Sequence, residues 1–145
     1  MSPHEFIFSP LVWIGEGRIN FSTSPQHIKF YTKWEFIEEQ PDLFKGLHQV
    51  EMQGVKEHVK NNYTFQMITD KTFELILESE MMGTVKGNGI ITQNTLAWEL
   101  VRDQTCEGFE VYERQVNGDY TFHAEYSSTE HRTVVEGLIW KKSKI

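Results

Sequence analysis

Apolar residues recur at every second position along most of the chain, and no segment longer than two turns carries the three-to-four spacing of a helix. Period-two alternation turns successive side chains to opposite faces of a strand, one toward a core and one toward solvent. The pattern divides into about ten strands, at 11–22, 27–37, 47–57, 61–68, 72–80, 84–93, 96–102, 106–116, 119–127 and 132–142. Only 3–9 and 39–46 read as helical turns.

The connections between strands test this division, because a hairpin loop must keep the apolar residues of both strands on one face. Asn117-Gly118, between Val116 and Asp119, is the strongest two-residue hairpin signal; it predicts Val111 opposite Ala124, Phe109 opposite Tyr126 and Glu113 opposite Phe122. Met81-Met82-Gly83 reads as a three-residue loop ending in the glycine of a bulge, with Ser79 opposite Val85 and Leu77 opposite Gly87. Asn94-Thr95 sets Ile91 against Trp98, and Thr69-Asp70-Lys71 acts as an odd-length loop matching Met67 to Phe73. Sequential antiparallel strands with short hairpins predict an all-β, up-and-down meander of about ten strands, and closing it into a barrel removes the exposed edges. A Greek-key sandwich needs long crossovers, for which only 39–46 has the length.

Taking the apolar face as inward places Trp13, Gly15, Gly17, Ile19 and Phe21 in the lumen, then Ile28, Phe30, Thr32, Trp34 and Phe36. The third and fourth strands add His48, Val50, Met52, Gly54, Tyr63, Phe65 and Met67. Phe73, Leu75, Leu77, Ser79, Val85, Gly87, Gly89, Ile91, Leu96, Trp98 and Leu100 follow, then Phe109, Val111, Glu113, Tyr120, Phe122, Ala124 and Tyr126. Both Gly-x-Gly pairs point inward, where a missing Cβ lets a strand coil sharply. Neither completes the G-x-G-x-x-G of a nucleotide loop. The last strand fits two orientations, with Val134, Glu136, Leu138 and Trp140 inward or Val135, Gly137 and Ile139 inward.

Composition narrows the reading. A chain of 145 residues fits a single domain over 1–145, and 13% aromatic residues suit a pleated surface. Fourteen basic against 21 acidic residues leave a net charge of −7, which argues against nucleic acid or an anionic membrane as partner. The single Cys106 precludes an internal disulfide, and the start of the chain shows neither a basic leader nor a long apolar run, so the expected compartment is the cytoplasm, without membrane insertion. The six histidines are scattered without metal-ligand spacing, and no cofactor or metal site is implied.

A barrel of ten strands is wider than side chains alone fill, so a lumenal cavity is expected, with walls of aromatic and methionine side chains (Met52, Met67, Met81, Met82). Two polar residues break the inward pattern. His48 reads either as an orienting group or as a satisfied histidine at a strand start, and Glu113 either as a lumenal carboxyl of raised pKa or as a rim residue beside the Asn-Gly turn. Were Glu136 inward, it would lie near Glu113 and form a carboxylate pair. Glu110, Tyr112, Arg114, Thr121, His123 and Glu125 read as a solvated ladder on the outer face.

Trp13-x-Gly15-x-Gly17 on the first strand, the run of hairpins and the ending Trp140-Lys141-Lys142 resemble the calycin superfamily, which includes lipocalins, fatty-acid-binding proteins and nitrobindin-like barrels. The layout is nearest to the nitrobindin-like members. The resemblance implies a cup-shaped barrel whose first-strand tryptophan closes one end beside a late-strand base, here Lys141 or Lys142. Nitrobindin-like barrels hold haem through a last-strand histidine, and residues 132–145 contain none.

The leading expectation is non-catalytic binding of a small hydrophobic or planar molecule inside the barrel of a monomer or homodimer. The expected ligand contacts are Trp34, Phe65, Trp98, Phe122 and Tyr126, together with Phe30, and His48, Tyr63 and Glu113 orient the guest. Two further readings remain open. One is an isomerase, cyclase or hydrolase using Glu113, Glu136 or His48 for proton transfer; the other is a solid-cored barrel acting as an interaction module.

Overall fold

The computed structural model describes residues 3–80, 83–103 and 106–142, with the side chains of 101–103 and 106 outside that description. Met81, Met82 and the Cys106 thiol, raised above, therefore lie beyond it. Ten antiparallel strands follow one another in chain order and close on themselves, β1 pairing with β10. They are β1 Val12–Phe21, β2 His27–Gln40, β3 Leu43–Met52, β4 Val59–Gln66 and β5 Thr72–Ser79, then β6 Gly83–Ile91, β7 Thr95–Asp103, β8 Cys106–Arg114, β9 Tyr120–Ser128 and β10 Arg132–Lys141. The expected all-β meander and its closure are thus observed.

The segment 39–46, read as a helical turn, instead completes β2 and begins β3. Gln40 pairs with Leu43 across a tight turn in which Asp42 adopts φ 61°. The apparent crossover is a hairpin, and it brings Phe44 into the core at 5% exposure. Residues 3–9 form no helix either. They fold across one end of the barrel, burying Phe6 and Ile7 completely. The Phe6 ring lies 4.9–5.6 Å from those of Trp13, Trp34, Phe36, Tyr112 and Tyr120, and so seals that end with aromatic contacts. His4 fastens the segment: its Nε2 donates to the Thr92 carbonyl at 2.7 Å, and its Nδ1 lies 2.5 Å from the Tyr120 hydroxyl. Trp13 sits opposite Lys141 in the β1–β10 register, but the lysine ammonium pairs with Glu5.

Close approach explains the inward glycines. A Cβ on Gly17 would stand 2.1 Å from the Glu136 carbonyl oxygen on β10, and one on Gly89 would stand 2.1 Å from the Phe73 ring. At Gly17 the neighbouring backbone approaches too closely for a side chain, and at Gly89 the Phe73 ring occupies the space a Cβ would take.

Three hairpin registers differ from expectation. β5–β6 and β6–β7 are each displaced by two residues: Leu77 faces Val85, and Ile91 faces Leu96. A two-residue displacement preserves the faces, and Val85, Ile91, Leu96, Trp98 and Leu100 are buried as expected. The β4–β5 register keeps the expected phase, with Phe65 opposite Leu75. Met67 nonetheless leaves the lumen, because φ 51° at its backbone turns its side chain out to 69% exposure. Gly54 likewise lies in a turn beyond β3, at φ 82°.

The third difference, at β8–β9, is a shift of one residue. The Gln115 amide donates to the Asp119 carbonyl at 2.7 Å, and the Gly118 amide donates to the Gln115 carbonyl at 3.0 Å. Val116, Asn117 and Gly118 therefore form a three-residue loop, with Gly118 at φ 93°, the type I turn plus bulge rather than the two-residue turn. Tyr112 now faces Phe122 and Glu110 faces Ala124. Because the side-chain period is two, this single residue turns the whole of β8 over.

Candidate functional site

With β8 reversed, Glu110 and Tyr112 point into the barrel at 4% and 2% exposure, while Phe109 is 40% exposed. Glu113 is exposed on the outer face. The last strand takes the second of its two orientations: Ile139 is fully buried, and the Glu136 carboxylate faces outward beside His123, 3.3 Å from its Nδ1. A lumenal Glu113–Glu136 pair does not form. Glu110 and Tyr112 leave the outer ladder; of its remaining members, His123 Nε2 pairs with Glu125 at 2.7 Å, and Arg132 also bonds Glu125.

The lumenal carboxyl is thus Glu110, and four strands supply its partners. Its Oε2 accepts from the Tyr126 hydroxyl at 2.7 Å, from Trp98 Nε1 at 3.2 Å and from the Tyr63 hydroxyl at 3.3 Å. Its Oε1 accepts from the Tyr112 hydroxyl at 2.8 Å. Desolvation pushes the Glu110 carboxyl above the usual carboxylate range, against the four hydrogen bonds, which act in the opposite sense. Burial and the neighbouring carboxyl also push the Tyr63, Tyr112 and Tyr126 phenols well up, so they remain donors.

Above this cluster, toward the end away from Phe6, the lumen holds a cavity of about 230 Å³. Trp34, His48, Tyr63, Phe122 and Tyr126, all named from the sequence, line it, as does Phe30. Phe65 and Trp98 lie in the packed layer beside it, their ring centroids 5.9 Å apart, and Trp98 bears on the site through its bond to Glu110. His48 stacks on Trp34 with centroids 4.1 Å apart. Its Nδ1 accepts from the Asn61 amide at 3.4 Å and its Nε2 donates to the Thr32 hydroxyl at 2.8 Å, which fixes the neutral tautomer. Burial pushes the ring down to about 3. The barrel is therefore half solid, where Phe6, Phe36, Phe65 and Phe73 pack, and half hollow.

Sequence pattern missed Glu110 and Tyr112 because Phe109 and Val111 supply the more apolar face of β8. One signal pointed to them. Tyr63, Trp98 and Tyr126 were all expected inward, and buried hydroxyl and indole donors demand an acceptor, which Glu110 supplies once β8 is turned over.

A larger groove of about 740 Å³ crosses the outside of β5–β8, with Met67, Ile90 and Phe109 exposed along it. It lies on the solvent face of the sheet, with Thr72, Glu74, Asn88 and Glu99 also along it, whereas the lumen sets apolar walls around an anchored carboxyl, the usual make-up of a ligand site.

No family model matches this chain, and no curated protein matches its sequence. Solved structures do resemble it. The S-type phycobiliprotein lyase CPES from Guillardia theta aligns with a TM-score of 0.74 at 9% identity, over 100% of this chain and 95% of its own. Rv2717c from M. tuberculosis aligns with a TM-score of 0.72 at 13% identity, over 99% of both chains. At such identities the likeness is one of fold, a closed antiparallel barrel. Among the described residues no helix is long and apolar enough to cross a membrane.

Proposed function

We propose that this calycin-like barrel binds a small planar, largely apolar molecule non-covalently in the lumenal cavity, with Glu110 as the polar anchor. The observation that carries the reading is the juxtaposition of a cavity of about 230 Å³ with a carboxyl held by four strands. Such a volume falls below the ~300–1,000 Å³ typical of drug-sized ligands, which favours a guest of one or two rings. Trp34, Phe30, Phe122 and Tyr126 provide apolar contact, and Tyr63 and His48 complete the polar lining. Fold likeness to a phycobiliprotein lyase is compatible with a lumenal ligand and says nothing of its identity.

Proton transfer is less well supported. Glu113 and Glu136 face outward, both His48 nitrogens are engaged, and Glu110 is surrounded by groups that fix it as an acceptor.

The test is thermal stabilisation by indole and naphthalene, compared between wild type and Ala124→Phe, which fills the cavity from the β9 position paired with Glu110. A guest at a hundred times its Kd adds about 2.7 kcal/mol. Stabilisation of wild type that is lost in a folded Ala124→Phe variant supports lumenal binding. Equal response of the two proteins, or no response from wild type, overturns it.

A further inference from the structure

Glu110 raises a question that binding alone leaves open, namely why a barrel should bury a carboxyl with no counter-charge among the described residues. Its four partners are neutral donors: the phenols of Tyr63 on β4, Tyr112 on β8 and Tyr126 on β9, and the indole of Trp98 on β7. Among the described residues, no lysine or arginine lines the cavity. The one other titratable group among the described residues that faces it besides the phenols, His48 on β3, is held neutral between Thr32 and Asn61.

The two oxygens are not equally served. Oε2 receives three donors, and Oε1 receives one, from Tyr112. A carboxylate oxygen offers two lone pairs, so Oε1 keeps acceptor capacity for one more N–H. The surrounding wall is built of rings, whose electron-rich faces attract cations, and the chain as a whole carries −7. An anionic guest meets the opposite conditions: no base among the described lining residues to pair with, and a carboxyl of its own sign.

Resting on the lumenal reading above, we propose that the ligand is a small planar organic cation bearing N–H donors, of amidinium or arylammonium type, with Glu110 as its counter-ion. The cavity thereby selects against fatty acids and other carboxylates, although such barrels are broad enough to enclose them. Pairing with the cation favours the ionised carboxyl, so binding expels the Glu110 proton wherever the free protein holds it.

Benzamidine, benzamide and benzoate share one planar shape and differ in charge, and indole serves as a neutral probe of the lumen itself. Binding is followed through the Trp98 indole N–H resonance, since that proton lies on the same carboxyl. The expected result is benzamidinium at least about tenfold tighter than benzamide, with benzoate weakest. In Glu110→Gln the benzamidinium-to-benzamide ratio should fall toward one. In wild type, benzamidinium affinity should weaken as pH falls through the Glu110 titration, while benzamide stays flat; this second readout stands even if the variant fails to fold. Benzamide or benzoate binding as tightly as benzamidinium, a ratio retained in folded Glu110→Gln, or a flat pH profile overturns the proposal. If indole binds and benzamidinium does not, the cation assignment falls while lumenal binding stands; if none of the four binds, both fall.

Discussion

Replacing Glu110 by leucine removes the acceptor on which four strands converge and leaves their donors in place. Tyr63, Trp98 and Tyr112 are 3%, 2% and 2% exposed, so three of the four lose their partner where water has little access. Each stranded donor costs about 1–3 kcal/mol, toward the lower end here because hydroxyls can rotate to one another while the indole N–H cannot. Relief of the buried carboxyl's desolvation offsets part of this. The net expectation is a loss of about 3–5 kcal/mol, as for other buried polar groups deprived of a partner. For a chain of this size that lowers Tm by about 10–15 °C. Glu110→Gln retains one oxygen, able to hold Trp98 and Tyr126, while its amide group meets the Tyr112 hydroxyl, whose hydrogen must turn away. Its cost is about 1–2 kcal/mol. Near-UV circular dichroism at pH 7 reports the aromatic cluster, and coincidence with the far-UV transition verifies two-state unfolding. Adding Tyr112→Phe should be better tolerated in the leucine background than in wild type, with a coupling of about 0.5–3 kcal/mol. A leucine variant within about 0.5 kcal/mol of wild type, or a glutamine variant less stable than it, refutes the idea that Glu110 organises this cluster.

Stability should depend on pH in two opposed ways. Glu110 lies above its ordinary value of 4.5, so its contribution is complete below that pH and is lost as pH rises through the raised value; the stability of wild type relative to Glu110→Gln should decline over that interval. His48 lies below its ordinary 6.5, at about 3, so its contribution is complete above 6.5 and declines as pH falls toward 3. NMR of the His48 ring should show it still neutral at pH 5, and titration near 6.5 would contradict its burial. Gly17→Val should cost more than the about 1–3 kcal/mol of ordinary overpacking, since even its Cβ meets the Glu136 carbonyl at 2.1 Å; denaturant unfolding measures this, and an unchanged midpoint would remove the close-approach explanation. Phe6→Ala should cost about 3–5 kcal/mol by opening the sealed end, and a loss under about 1 kcal/mol would mean that residues 3–9 are not part of the core.

The strands and most of their faces were legible because alternation is a local property. Trp13-x-Gly15-x-Gly17, Phe30-x-Thr32-x-Trp34 and Tyr63-x-Phe65 each declare an inward side without reference to any partner. Hairpin registers displaced by two, as at Leu77–Val85, left those sides intact. Tertiary structure decided what alternation leaves degenerate. In β10 both faces carry apolar residues, and closure against β1 made the choice, setting Gly137 opposite Gly17 where the backbones approach too closely for a side chain.

In β8 the local signal pointed the wrong way. Asn117-Gly118 suits a two-residue or a three-residue loop, since either accepts glycine at positive φ, and one residue of loop length turns Glu110 and Glu113 to opposite sides. The aromatic wall apart from Tyr112 was therefore readable from the chain by itself, because each of its other residues takes its place from its own strand. The identity of the carboxyl at its centre was not. Glu110 becomes the better inward residue only when Tyr63, Trp98 and Tyr126, from three other strands, surround it with donors, and only the closed barrel brings those strands together.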